Sequence, residues 1–113
     1  MVQLLHEILV EARRSIEEWG GDLYFVYLPT WSTYASPGGG AHPVRARVLS
    51  AAKEAGLPII DLHPTFESHS DPLALFPFRL GGHYNAEGHA LVAAEILRSV
   101  AHQPLDVIGQ PQR

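Results

Sequence analysis

The chain has 113 residues, 46% of them hydrophobic and 18% charged, which is the size and balance of one small globular domain rather than of a disordered segment. Its net charge of −4, with eight scattered Lys and Arg, argues against nucleic acid as a partner, and the lack of cysteine excludes disulfides, thiolate catalysis and Cys-type zinc sites. No apolar run reaches the ~20 residues that span a membrane. Residues 1–20 carry acids in an amphipathic pattern and do not read as a signal peptide, which leaves the cytoplasm as the default compartment.

Leu5, Ile8, Leu9, Ala12 and Ile16 recur at helical spacing, with Glu7, Glu11, Arg14 and Glu18 on other faces, and Gly20-Gly21 can close that helix in a left-handed cap. The following "DLYFVYLP" is apolar on both faces, as in a strand covered on both sides of a parallel sheet. Residues 30–41, with Trp31, Tyr34 and three consecutive glycines, read as a loop. Pro43 can open a second helix whose face carries Val44, Val48, Ala52 and Ala55 and which Gly56 ends. "LPIIDLHP" is a second short strand, and residues 64–84 a long Pro-containing loop. Asn85 is a good N-cap for a third helix over about 86–101. The Pro- and Gln-rich tail, residues 104–113, is expected to be flexible.

The order helix, strand, helix, strand, loop, helix predicts an α/β fold, with two parallel strands joined by a right-handed helical crossover. Two parallel strands make a poor sheet alone. The third helix is apolar around most of its circumference, through Leu91, Val92, Ile96, Leu97 and Val100 among others. It calls for more neighbours than this chain supplies. The expectation is therefore half of a larger doubly wound domain, completed by an N-terminal half or by a second copy of the chain.

In an open α/β sheet, sites form beyond the C-terminal ends of the strands. Both long loops leave from those ends, and His83 stands at the end of the second, just before the third helix. Gly81 and Gly82 free the backbone there and keep bulk away from the ring. An imidazole so placed can act as a general base at neutral pH, or it can simply hydrogen-bond its own loop.

The block "FRLGGHYNAEGHALVAAEIL" resembles the last conserved block of the SGNH, or GDSL-type, hydrolases, on His83, Asn85, Gly88, Ala90 and Ala93-Ala94. "YFVYLPTW" and "GLPIIDLHPTF" look like that family's last two strands, so the resemblance covers residues 1–101 in order. It implies a three-layer α/β/α, flavodoxin-like domain of which residues 1–103 are the C-terminal part. It also implies a serine ester hydrolase with His83 as general base, acting on a small-molecule, carbohydrate or lipid ester without metal or other cofactor. The sequence departs from the family in three places. No Gly-Asp-Ser supplies the nucleophile, since "GGD" at 20–22 is followed by Leu23. The blocks carrying the family's oxyanion-hole Gly and Asn are missing, and Leu80 stands where the family places an Asp that orients the imidazole.

Within the chain, Ser32 is the least implausible substitute nucleophile, though it lacks the strained turn beside an oxyanion hole; it can equally satisfy turn backbone. Asp71 is the first candidate for the orienting acid and Asp61 the second; both are equally plausible as turn or cap residues, and a backbone carbonyl could serve instead. His63, His69, His83 and His89 cluster in sequence, but no pair has the i, i+4 spacing with an intervening Glu, so no metal site is expected. Trp31 and Tyr34 could line a cleft or pack the loop on the sheet.

Two functions stand. One is the C-terminal part of an SGNH-type esterase, inactive by itself. The other is a non-catalytic α/β module that completes its sheet by oligomerisation. The reading frame upstream of Met1 separates them, since a Gly-Asp-Ser turn there belongs to the first.

Overall fold

A computed structural model describes residues 2–36 and 42–101; the tail from 104 onward lies outside them. Helix α1 (Val2–Glu18) closes at Gly20, where φ is +87°. Strand β1 (Phe25–Tyr27) follows, then a short helix α2 (Trp31–Ala35), helix α3 (Arg45–Glu54), strand β2 (Ile59–Asp61), helix α4 (Leu62–Glu67), two 3-10 turns (Pro72–Leu75 and Pro77–Arg79) and helix α5 (Ala86–Ala101). The strands pair in parallel, with Val26 opposite Ile60 and Tyr27 opposite Asp61, in a two-stranded sheet. The structure is thus of mixed α/β character, with the crossover expected of parallel strands.

The loop expected over 30–41 contains helix, and the second strand is shorter than expected, Leu62–Pro64 at its end turning with the start of the following loop into helix. Trp31–Ala35 forms one turn after Thr30, and residues 62–67 form another directly after β2. Asp61 explains the second: it ends the strand and caps the helix, its Oδ1 accepting the His63 N–H at 3.0 Å. Pro64 falls in the first turn of α4, where a missing N–H costs little. Helix α3 starts at Arg45, two residues beyond Pro43.

The sheet's two faces have different neighbours. On the face of Tyr27 and Asp61, Arg45 of α3 lies over the Tyr27 ring and pairs with the Asp61 carboxylate. Val26 and Ile60 look the other way, into a core of Leu62, Phe66, Leu75 and Phe76. Phe66 sits at its centre, with ring centroids at 4.9 Å from Tyr84, 6.0 Å from Tyr34 and 6.2 Å from Phe76. Leu91, Val92 and Ile96 of α5 pack on this core. The rest of α5 does not bury its apolar surface: Leu97 is 70% exposed, as is much of Val100.

Helix α5 is capped as its sequence predicts, the Asn85 Oδ1 accepting the Gly88 N–H at 2.9 Å. The same side chain donates to the Ala74 carbonyl at 2.7 Å, so the cap also ties α5 to the first 3-10 turn. Gly88 lets the two elements approach, because a Cβ there would stand 2.7 Å from the Leu75 carbonyl oxygen and 2.8 Å from the Tyr84 Cβ. Gly88→Ala is therefore expected to lower stability by about 1–3 kcal/mol, the overlap with fixed backbone outweighing the helix preference for alanine. A fall in the urea midpoint at unchanged m-value checks this.

Candidate functional site

A cleft of about 520 Å³ opens beyond the C-terminal end of β1. One wall is Leu28, Pro29, Thr30, Trp31 and Ser32; the other is Gly81, Gly82, His83, Tyr84 and His89. The first wall is the exit of β1 running into α2, and the second is the loop that enters α5. This is the position at which open α/β sheets carry their sites.

The two walls are fastened in two places. Tyr84 donates its hydroxyl proton to the Pro29 carbonyl, and burial pushes that phenol up to about 12. Trp31 donates its indole N–H to the Arg79 carbonyl at 2.9 Å. With Tyr84 held, the next residue is the N-cap of α5 and the preceding one is His83. Gly82 takes φ +122°, which a side chain would oppose, and so turns the chain to present His83. His83 is exposed on the cleft wall and has no hydrogen-bond partner among the described residues. His89, in the first turn of α5, stands on the same wall with its ring edge-on to Tyr84 at 5.8 Å.

The structure brings His83 and Ser32 to one cleft but joins them by no hydrogen bond. Ser32 Oγ lies 3.2 Å from the Thr30 hydroxyl instead. Asp71 is not brought to His83. Its carboxylate pairs with Arg79, and that guanidinium holds the carboxyl below its ordinary range. Its N–H donates to His69 Nδ1 at 2.9 Å, while His69 Nε2 lies 3.0 Å from Glu87 on α5. In that arrangement the neutral His69 ring carries its proton on Nε2. Asp61 is likewise committed, to Arg45 and to the α4 cap. Neither aspartate touches the His83 ring.

Of the two aromatics, Trp31 lines the cleft. Tyr34 belongs to the core, stacked on Phe66 and His63, with its hydroxyl 2.9 Å from His63 Nδ1; burial raises its pKa strongly. Among the described residues no three His, Asp or Glu side chains are grouped so as to hold a metal ion. None of their helices is long and apolar enough to cross a membrane. Leu28 and His89 were not singled out from sequence as cleft residues. His89 was legible only in part, as the polar residue one turn into a helix that His83 precedes.

The loop before Gly81 holds two consecutive non-glycine residues in the left-handed region, Phe78 at φ 55° and Arg79 at φ 60°. Such backbone costs on the order of 1–3 kcal/mol per residue and persists where its surroundings impose it. Here the turn is closed by the Arg79 N–H on the Phe76 carbonyl at 2.9 Å and the Leu80 N–H on the Pro77 carbonyl at 3.0 Å, and it is braced by the Trp31 bond to the Arg79 carbonyl and by the Arg79–Asp71 pair. The result is a Phe78 side chain left 91% exposed.

No protein-family model, curated protein or solved structure matches the chain. The reading of this cleft therefore rests on its own geometry.

Proposed function

We propose that this chain is the histidine-bearing part of an SGNH-type serine ester hydrolase, with His83 as the general base. The observation that carries this reading is the His83 imidazole, without a hydrogen-bond partner among the described residues, on the wall of a cleft at the sheet's C-terminal end and two residues before the N-cap of a helix. His83 would take the proton of a serine hydroxyl as that oxygen attacks the ester carbonyl, then return it to the departing alcohol. The nucleophile and the oxyanion donors would come from an N-terminal half, whose strands would pair with the free edge of the sheet and complete a three-layer α/β/α domain. With Asp71 bound to Arg79, a backbone carbonyl is the simpler partner for the His83 N–H; Asp71 would serve only after leaving that arginine.

The 113-residue chain is expected to hydrolyse p-nitrophenyl acetate no faster than free imidazole does, because the groups that supply most of the rate enhancement are absent. The same chain extended by its upstream in-frame sequence is expected to turn the ester over. Robust hydrolysis by the 113-residue chain that vanishes in Ser32→Ala would overturn the proposal and make Ser32, on the opposite wall, the nucleophile.

A second reading is favoured by a different observation. Leu4 and Ile8 of α1 and Leu97 of α5 are all more than half exposed, and a module that lays such faces on a partner needs no chemistry. In that reading the upstream frame lacks a Gly-Asp-Ser turn and the chain self-associates.

A further inference from the structure

We infer that the outer edge of β1 seats one further strand, parallel to β1, whose chain runs directly on into α1. The inference rests on the proposed function only for the existence of polypeptide ahead of Met1, and it uses none of that reading's chemistry. The crossover from β1 to β2 runs through α3, which lies on the face of Tyr27 and Asp61, since Arg45 reaches both. Helix α1 runs beside α3 in the same direction. Val2 and His6 share a groove with Ala46 and Arg47 at the start of α3, and the Arg13 guanidinium donates to the Ala55 carbonyl at its end, at 3.2 Å. Both helices therefore stand on one side of the sheet. Parallel strands joined through a helix cross over right-handed in about 98% of cases. With α1 on the side of α3, a right-handed step into β1 must come from the edge opposite β2, just as the next step leads from β1 to β2. A strand entering α1 from beyond β2 would need the left-handed crossover.

Burial points to the same edge. No residue of α1 is buried, and its apolar stripe of Leu5, Leu9, Ala12 and Ile16 is only half-buried. All three residues of β1 are half-buried as well, whereas Ile60 of β2 is 3% exposed. At 3.6 residues per turn, Leu4 and Ile8 fall on the side of α1 turned away from Val2, His6 and Arg13, and so away from α3. Both are more than half exposed. A strand beside β1 would lie beneath this overhang and cover it. Its backbone partners are defined by β1. The Phe25 N–H donates to the Pro58 carbonyl at 2.9 Å, so the alternation of the strand turns the N–H and carbonyl of Val26 to the open side. Because α1 runs antiparallel to β1, the turn between the new strand and α1 falls at the C-terminal end of the sheet, the end that carries the cleft.

The test is NMR on the chain extended by its upstream in-frame sequence. The Val26 N–H is expected to exchange with deuterium about a hundredfold or more slowly than the Ile59 N–H, which faces the outer edge of β2. Nuclear Overhauser contacts are expected from the Val26 and Leu28 amides to α protons of residues upstream of Met1. Their order should ascend in both segments, as parallel strands require. Protection of Ile59 with Val26 left open would overturn the inference, as would contacts in descending order. Contacts from Val26 to a second copy in a mixed-label sample, or a stop codon directly ahead of Met1, would overturn it too. The catalytic proposal fails separately. An extended chain that shows the ascending contacts but hydrolyses no ester keeps this inference and loses that one, and His83-dependent hydrolysis with Val26 unprotected does the reverse.

Discussion

Under the proposed ester-hydrolase function, His83→Gln in the upstream-extended chain is expected to lower kcat by about a hundred- to ten-thousandfold, the usual worth of a positioned general base. KM should change little. The imidazole makes no hydrogen bond among the described residues and lies on the surface, so its loss removes neither packing nor a ground-state contact. For the same reason thermal unfolding of the variant should coincide with that of the parent. His89→Gln, on the same wall but six residues further on, in the first turn of α5, is the control and should leave kcat within a few fold. Steady-state kinetics on both variants distinguishes a base from a turn residue: near-normal kcat without His83 would reduce the stretch from 81 to 90 to structure.

The largest expected loss of stability comes from Phe66→Ala. Phe66 is fully buried, and Tyr34, Phe76 and Tyr84 all pack their rings around it. Truncating a phenylalanine in such a place costs about 3–5 kcal/mol. A domain of this length holds only about 5–15 kcal/mol in total. The sheet adds little reserve, because each of its strands is three residues long. Urea unfolding followed by circular dichroism should show the midpoint fall by half or more, or the cooperative transition disappear. A Phe66→Ala variant as stable as the parent would mean that the aromatic cluster is not the folding core.

The parts of the fold that sequence made visible are those governed by local chemistry. Helical spacing in α1, the Asn85 cap that opens α5 and the Gly20 stop all depend on residues a few positions apart, and each is found where the pattern puts it. Helices α2 and α4 were hidden because they are single turns of indifferent propensity, in "WSTYA" and "LHPTFE", fixed by tertiary packing of Thr33, Leu62 and Phe66. The cap of α4 was written in the sequence at Asp61, but that residue also read as the end of a strand, and it does both jobs.

The site divides in the same way. His83 could be found because two glycines, a capping Asn and an apolar helix mark its place along the chain. The partners of the aspartates could not, since Asp71 meets Arg79 across two 3-10 turns that the sequence does not announce and Asp61 meets Arg45 at the far end of the crossover helix. Nothing in Phe78-Arg79 signals a left-handed conformation, which glycine or asparagine would ordinarily occupy. That pair departs from local rules beside the cleft, and such departures gather at functional sites.

Active-serine labelling tests the central claim most directly. The 113-residue chain and its upstream-extended form are treated with a fluorophosphonate and weighed by intact-mass spectrometry, with peptide mapping of any adduct. The account predicts no adduct on the 113-residue chain. It predicts one adduct on the extended chain, at the serine of a Gly-Asp-Ser turn, with the labelling strongly slowed by His83→Gln. An adduct on Ser32 of the 113-residue chain, or an extended chain that labels equally well without His83, would contradict it.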